Sequence, residues 1–349
     1  MKINTLNSVN FRGKIIDTHV HIGEWYGKNY TAETLDKFVK SPLTVQVGKE
    51  QSTDTISKML VSSMNSMGKD CKYNETDGLK EILEETKKNS KLKAVAVCQP
   101  SITKGDTTAL DNAIKQNREK IFGLKFHPSA FEHPVSAQDS SYVNYMKLAQ
   151  KYKLPCIFHT DSDDFSSAKQ VYELAKTTPD VPVILGHSGG YFGFDEAKGL
   201  LEESLVKKDA KLYFDISWLN WDNGLPDGKH TRVKELIDVC KKHNATDRIL
   251  FGTDVPLGCF GENPVEPFSE KQAYEKTVSG IKTMIKNSFG SEADELTEKI
   301  FYKNADALFF QPKRNALLKK AGAIGLATLA IAGIGGIILH NKAKNKTNN

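Results

Sequence analysis

Eight short apolar runs recur along this chain, each ended by glycine, proline or a polar residue, and between them the spacing changes to that of helices. The runs are Lys14–His21, Lys58–Met64, Leu92–Pro100, Ile121–Pro128, Pro155–Asp161, Val181–Gly190, Lys211–Trp218 and Arg248–Pro256. So much apolar character over so few residues suits strands buried on both faces. Between the runs, Tyr142, Tyr145, Met146 and Ala149 stand at i, i+3, i+4 and i+7, and Leu79, Ile82 and Leu83 begin the same pattern. That is the mark of a helix with one buried face. Eight βα units predict an α/β fold closed into a (β/α)8 TIM barrel, with the last helices near residues 292–310 packed under it. An open doubly wound sheet is the rival, but no Gly-rich turn follows the first run to hold a nucleotide phosphate. At 349 residues the chain is long enough for one large core.

The net charge of +5 looks like a signal for nucleic acid until it is divided along the chain. Lys313, Arg314, Lys319, Lys320, Lys342, Lys344 and Lys346 all fall in residues 312–349, which hold no acid; without them 41 basic residues face 43 acidic ones. The basic excess belongs to the tail, and no nucleic-acid partner is expected. The five cysteines are odd in number, widely spaced and free of any C-x-x-C pair, so they read as reduced thiols of an intracellular protein. The first residues, MKINTLNSVNFRGK, lack the apolar core of a signal peptide.

Within the tail, residues 321–339 are 19 uncharged, mostly apolar residues flanked by lysines. At about 1.5 Å per residue such a helix just crosses a hydrocarbon core of roughly 30 Å. Thr328, Ala332 and Gly336 put small residues on one helix face, which suits pairing into a homodimer. The expectation is a barrel over residues 1–311 and a basic linker with a transmembrane helix over 312–349. The barrel would be cytoplasmic and membrane-anchored.

In a barrel, chemistry gathers at the carboxyl ends of the strands. There the runs carry His19 and His21, Lys125 and His127, His159, His187 and Asp254, so five of the nine histidines end a strand. Residues i and i+2 of a strand share a face, so His19 and His21 can aim both imidazoles at one point, as two ligands of a metal would. The same parity puts Lys125 and His127 both inward or both outward. Histidines can also be filler, yet barrel interiors favour branched apolar side chains. A buried aspartate without a partner would be costly, and a cation is the obvious partner for Asp254. GHSGG around His187 equally fits a tight turn capping the next helix.

Together IIDTHVHIG, GLKFHP, IFHTD, ILGHSGG and FGTDVP, followed by KNADALFF, resemble the amidohydrolase superfamily over roughly residues 13–311. The likeness is greatest to the amidohydrolase-related branch that includes aminocarboxymuconate semialdehyde decarboxylase. The resemblance implies that His19, His21, His159 and Asp254 bind a divalent metal, usually zinc, with one Zn²⁺ expected, and that His187 lies over it. Neutral imidazoles and a carboxylate suit Zn²⁺, which lowers the pKa of its water from 15.7 toward about 7. Asp254 would take that proton, and His187 would polarise a carbonyl or stabilise an oxyanion. In binuclear relatives a strand-four lysine can be carboxylated to bridge two metals; here Lys125 is expected unmodified and in contact with substrate.

Trp25, Tyr26, Trp218, Trp221 and Phe260 fall in loops on the expected active face; they suit an aromatic or apolar small molecule and equally suit plain loop packing. Arg232, in the loop after the seventh run, is a candidate for a substrate carboxylate. The leading expectation is a metal-dependent hydrolase of an amide, ester or lactone. A non-oxidative decarboxylase is close behind, and a membrane-tethered scaffold without activity is the third reading.

Overall fold

Eight parallel strands close into a ring in a computed structural model that describes residues 13–25, 27–219, 221–222, 225–226, 229–256 and 270–318. They are β1 Lys14–Trp25, β2 Glu50–Ser63, β3 Leu92–Val97, β4 Ile121–Phe126, β5 Cys156–His159, β6 Pro182–Gly186, β7 Lys211–Asp215 and β8 Ile249–Leu250. Each pairs with the next in chain order, and a parallel bridge between Val20 and Val255 joins the last to the first. At that seam the His21 N–H donates to Val255 O at 2.7 Å, Thr18 N–H to Phe251 O at 3.0 Å and Asp254 N–H to His19 O at 2.8 Å. Closure excludes the doubly wound alternative.

Parity sorts the side chains into two layers. Phe126 and Phe158 point outward and stack at 4.4 Å, against Tyr142 and Tyr145 of helix Ser140–Tyr152. Their neighbours Lys125, His127 and His159 therefore face the interior. The expected helical face is buried at Tyr142, Tyr145, Met146 and Ala149, and the Asp139 side chain caps that helix by accepting from Ser141 N–H. Helix Glu75–Lys88 buries Leu79, Ile82 and Leu83 and is capped by Asn74, with acids in its first turn and lysines in its last, as the helix dipole favours.

Three elements differ from the sequence expectation. The insert after β1 contains a strand, Leu43–Val47, that pairs antiparallel with the start of β2, from Leu43 opposite Asp54 to Val47 opposite Glu50. Helix Glu270–Phe289 covers its free edge: Thr44 N–H donates to Glu275 Oε1 at 2.8 Å and Gln46 N–H to Ser279 Oγ at 3.0 Å, which blocks further strand pairing there. β8 is also shorter than its apolar run, because beyond Leu250 the chain bonds to β1 and Asp254 turns into the left-handed region at φ 59°. Below the ring, Asn304 Nδ2 donates to Thr246 O and Ile249 O, both at 2.8 Å, and anchors the start of β8.

The chain divides into two units, Met1–Asp306, which contains the barrel, and Ala307–Asn349. Of the second, residues 307–318 are described, and they are helical. The expectation of a membrane-anchored protein is corrected: no helix among the described residues is long and apolar enough to cross a membrane. Residues 321–339 themselves lie outside the described residues.

Candidate active site at the carboxyl ends of the strands

A cavity of about 680 Å³ opens over the ring, lined by His21, Lys125, His127, His159, His187 and Asp254 together with Met64, Met67, Tyr191, Phe192 and Trp218. Lys125 and His127 both face it, as their parity required. His19 lies beneath them, 2% exposed. It sits where the register between β1 and β2 shifts, between Asp17 and Val20. Asp17 holds that irregularity in place: its carboxylate accepts from His19 N–H at 3.2 Å, Thr253 N–H at 3.1 Å, Thr253 Oγ1 at 2.6 Å and Tyr274 OH at 3.0 Å. The motifs of β1 and β8 are thereby tied into one floor. Burial pushes the Asp17 carboxyl up to about 7 against these hydrogen bonds.

Two glycines are required by close approach. A Cβ on Gly186 would stand 2.7 Å from Phe158 O and 3.3 Å from the His19 ring, and one on Gly252 would stand 2.8 Å from the Asp215 carboxylate. The GHSGG turn after β6 swings through the left-handed region at His187 and Ser188, φ 63° and 50°, and so stacks the His187 ring on His19 at 4.8 Å. Although GHSGG also starts helix Gly190–Lys207, His187 itself lies in the site.

The hydrogen bonds fix what each group offers. His19 Nδ1 is 2.5 Å from Asp215 Oδ2, so Nδ1–H donates there and the Nε2 lone pair faces inward, where the Lys125 ammonium donates to it at 2.7 Å. His21 Nε2 is 2.9 Å from Asp254 Oδ1, and its Nδ1 is 2.9 Å from Ser62 Oγ. His187 Nδ1 is 2.8 Å from Ser217 Oγ. Asp254 Oδ1 is 3.3 Å from His19 Nε2, while its Oδ2 accepts from Trp218 Nε1 at 2.7 Å. His159 stacks on His127 at 3.8 Å and meets His187 edge-on at 4.9 Å.

Burial governs the protonation states. It lowers His21 to about 4 and His187 to about 3, and lowers His127 and His159 well below the usual imidazole range, so these rings are neutral near pH 7. Burial lowers Lys125 to about 8 despite the nearby Asp254 and Asp215 carboxylates. For Asp254, burial would raise the carboxyl, but the facing imidazoles of His19, His187 and His21 outweigh it and hold it well below the usual carboxylate range. The result is a buried group of imidazoles around an ionised carboxylate, a donor chemistry suited to a divalent cation.

Among the described residues, one group meets the spacing of a metal site: His19, His187 and Asp254, all buried, with ligand atoms within 4.8 Å of one another. Sequence reasoning expected His19 and Asp254 as ligands and His187 lying over the metal; His21 and His159, the other two expected ligands, are not in this group. That reasoning did not single out Asp215 or Ser217, although a polar residue ending an apolar run, the signal used for Asp254, was present in KLYFDISW. Arg232 is in the first turn of helix Thr231–Lys242 and not in a loop; its guanidinium lies over the rings of Tyr191 and Phe194, at 4.4 and 5.3 Å. Tyr26 and Phe260 lie outside the described residues, as do the side chains of Trp25 and Trp221.

Comparison with solved structures finds the same fold. A probable 2-pyrone-4,6-dicarboxylic acid hydrolase from Acinetobacter baumannii is 12% identical, with 84% of this chain and 98% of that chain covered and a TM-score of 0.52. 2,6-Dihydroxybenzoate decarboxylase from Rhizobium is 14% identical over 85% and 98%, TM-score 0.52. 4-Oxalomesaconate hydratase from Rhodopseudomonas palustris is 14% identical over 89% and 99%, TM-score 0.51. At these identities the likeness is one of fold. Comparison with curated proteins finds no match. The amidohydrolase family model matches residues 82–311, about two thirds of the chain and four of the five motifs at the strand ends, and the chain therefore belongs to the amidohydrolase family.

Proposed function

We propose that the protein is a metal-dependent hydrolase that cleaves an amide, ester or lactone bond of a small molecule. The observation that carries this reading is the convergence of His19, His187 and Asp254 beside a cavity large enough for such a substrate. These three residues would hold the cation, with His21, whose Nε2 is 2.9 Å from Asp254 Oδ1, as a further donor, and His159 retained from the family resemblance. The set of imidazoles and a carboxylate favours a single Zn²⁺, which when bound supplies Lewis acidity toward a water and a substrate carbonyl.

The remaining steps belong to the chain. Asp254, ionised and fixed by Trp218, accepts the proton of the attacking water and passes it to the leaving group. Lys125, a buried ammonium lining the cavity, stabilises negative charge developing on the substrate oxygen. His187 is assigned to the cation on this geometry, in place of the oxyanion role inferred from sequence. Met64, Met67, Tyr191 and Phe192 supply apolar walls that suit a planar substrate.

Decarboxylation is the second reading, favoured by Lys125, because a buried cation facing the cavity is a ready partner for a substrate carboxylate. A scaffold without activity has no use for such a cluster of buried polar groups, whose desolvation is costly. The test is to incubate Zn²⁺-loaded protein with small lactones, esters, amides and aromatic carboxylic acids in H₂¹⁸O. Hydrolysis puts ¹⁸O into an acid product. Release of CO₂ with no labelled acid would replace hydrolysis by decarboxylation.

A further inference from the structure

We propose that Trp218 is a positioning residue that fixes the Asp254 carboxylate so that it presents Oδ1 alone to the metal centre. The proposal rests on the metal-site reading above but concerns different atoms. Asp254 divides its two oxygens: Oδ2 accepts the indole N–H of Trp218 at 2.7 Å, whereas Oδ1 faces His21 Nε2 at 2.9 Å and His19 Nε2 at 3.3 Å. A carboxylate whose second oxygen accepts from a fixed donor is held against rotation, which favours ligation through Oδ1.

The backbone supports a specific role. Trp218 and Asp254 both occupy the left-handed region, φ 62° and 59°, a conformation that disfavours residues with a Cβ by roughly 1–2 kcal/mol each. Their side chains meet only because both turns are made. The segment Asp215–Trp218 also does this for the rest of the group: Asp215 takes His19 Nδ1 at 2.5 Å and Ser217 pairs with His187 Nδ1 at 2.8 Å. Each of the three clustered residues thus has one orienting partner in the same four-residue stretch, and Ser217 N–H donates to Asp215 Oδ1 at 2.6 Å to stiffen it. Trp218 also lines the cavity, so one side chain touches both the carboxylate and the space a substrate fills.

Titration of the full-length protein with Co²⁺, followed by its visible d–d absorption, tests the proposal. Trp218→Phe keeps an aromatic ring and removes the N–H donor together with part of the indole; Trp218→Gly accepts the left-handed backbone and serves if the phenylalanine variant does not fold. Loss of an outer hydrogen-bond partner typically weakens metal binding about 10–100-fold. That loss is expected in both variants, with altered d–d bands because the carboxylate ligation changes. Wild-type affinity in the variants, or weakened affinity with unchanged bands, would overturn the positioning role while leaving the metal site intact. A wild-type protein that takes up no Co²⁺ would instead remove the metal-site reading, and the role of Trp218 with it.

Discussion

Two buried acid clusters sit near the same end of the barrel, and only one of them looks built for chemistry. Glu75 is 5% exposed. Its Oε1 accepts from Gln99 N–H at 2.5 Å and from the Tyr145 hydroxyl. Gln99 Nε2 donates to Ser66 O and Tyr73 O, each at 2.9 Å, and Tyr145 OH lies 2.7 Å from Thr103 Oγ1. Burial pushes the Glu75 carboxyl up to about 7, much as it does Asp17. Yet this cluster turns its polar atoms on one another and ties loops together. Around His19, His187 and Asp254 the donors instead converge on a shared point beside a cavity. A perturbed pKa marks both clusters; convergence separates them.

Removing a converging group should have the largest effect. His19→Ala is expected to abolish stoichiometric metal binding while the barrel stays folded, read by elemental analysis beside circular dichroism; full metal content in the variant would refute its role. Glu75→Gln should leave metal content unchanged and alter stability instead. The folded-state pKa of about 7 exceeds the ordinary glutamate value of 4.5, so the native state binds this proton more tightly and the benefit, full below about 4.5, is lost as pH rises through 7. Relative to wild type, the variant should gain stability between pH 4.5 and 8 by up to roughly 3 kcal/mol. Asp17 acts in the same direction in both proteins and cancels. A pH-independent difference in unfolding midpoint would contradict the assignment.

Asp215→Asn keeps an acceptor for His19 Nδ1–H but removes the charge, and about tenfold weaker metal binding is expected in a chelator competition; an unchanged constant would make Asp215 a structural residue only. The smallest effect belongs to the exposed pair of Lys151 and Asp111. Lys151→Ala should leave metal affinity untouched and the melting temperature within error, and a clear drop in either would mean that surface charge matters here more than the comparison allows.

Much of this was legible in the sequence, for a physical reason. Strands buried on both faces must be short and apolar, so all eight could be placed, and the parity of Lys125 and His127 followed from the period of a strand. The polar ends of those strands gave His19, His187 and Asp254, since buried polar groups stand out against an apolar run. The antiparallel strand Leu43–Val47 was missed although LTVQV alternates and Gly48 marks its turn. Helix Glu270–Phe289 was missed too, although Tyr274, Val278, Ile281 and Ile285 hold helical spacing. The bond from Trp218 to Asp254 was beyond pattern reading, because it depends on two non-glycine residues adopting left-handed backbone angles.

The central claim, that distant side chains meet around one cation at the mouth of the ring, is tested most directly by an anomalous difference map at the zinc edge, from crystals of full-length protein grown with Zn²⁺. One strong peak is expected, in bonding contact with His19 Nε2 and Asp254 Oδ1. Density without a peak at that point, with the Lys125 ammonium still on His19 Nε2, would contradict the account.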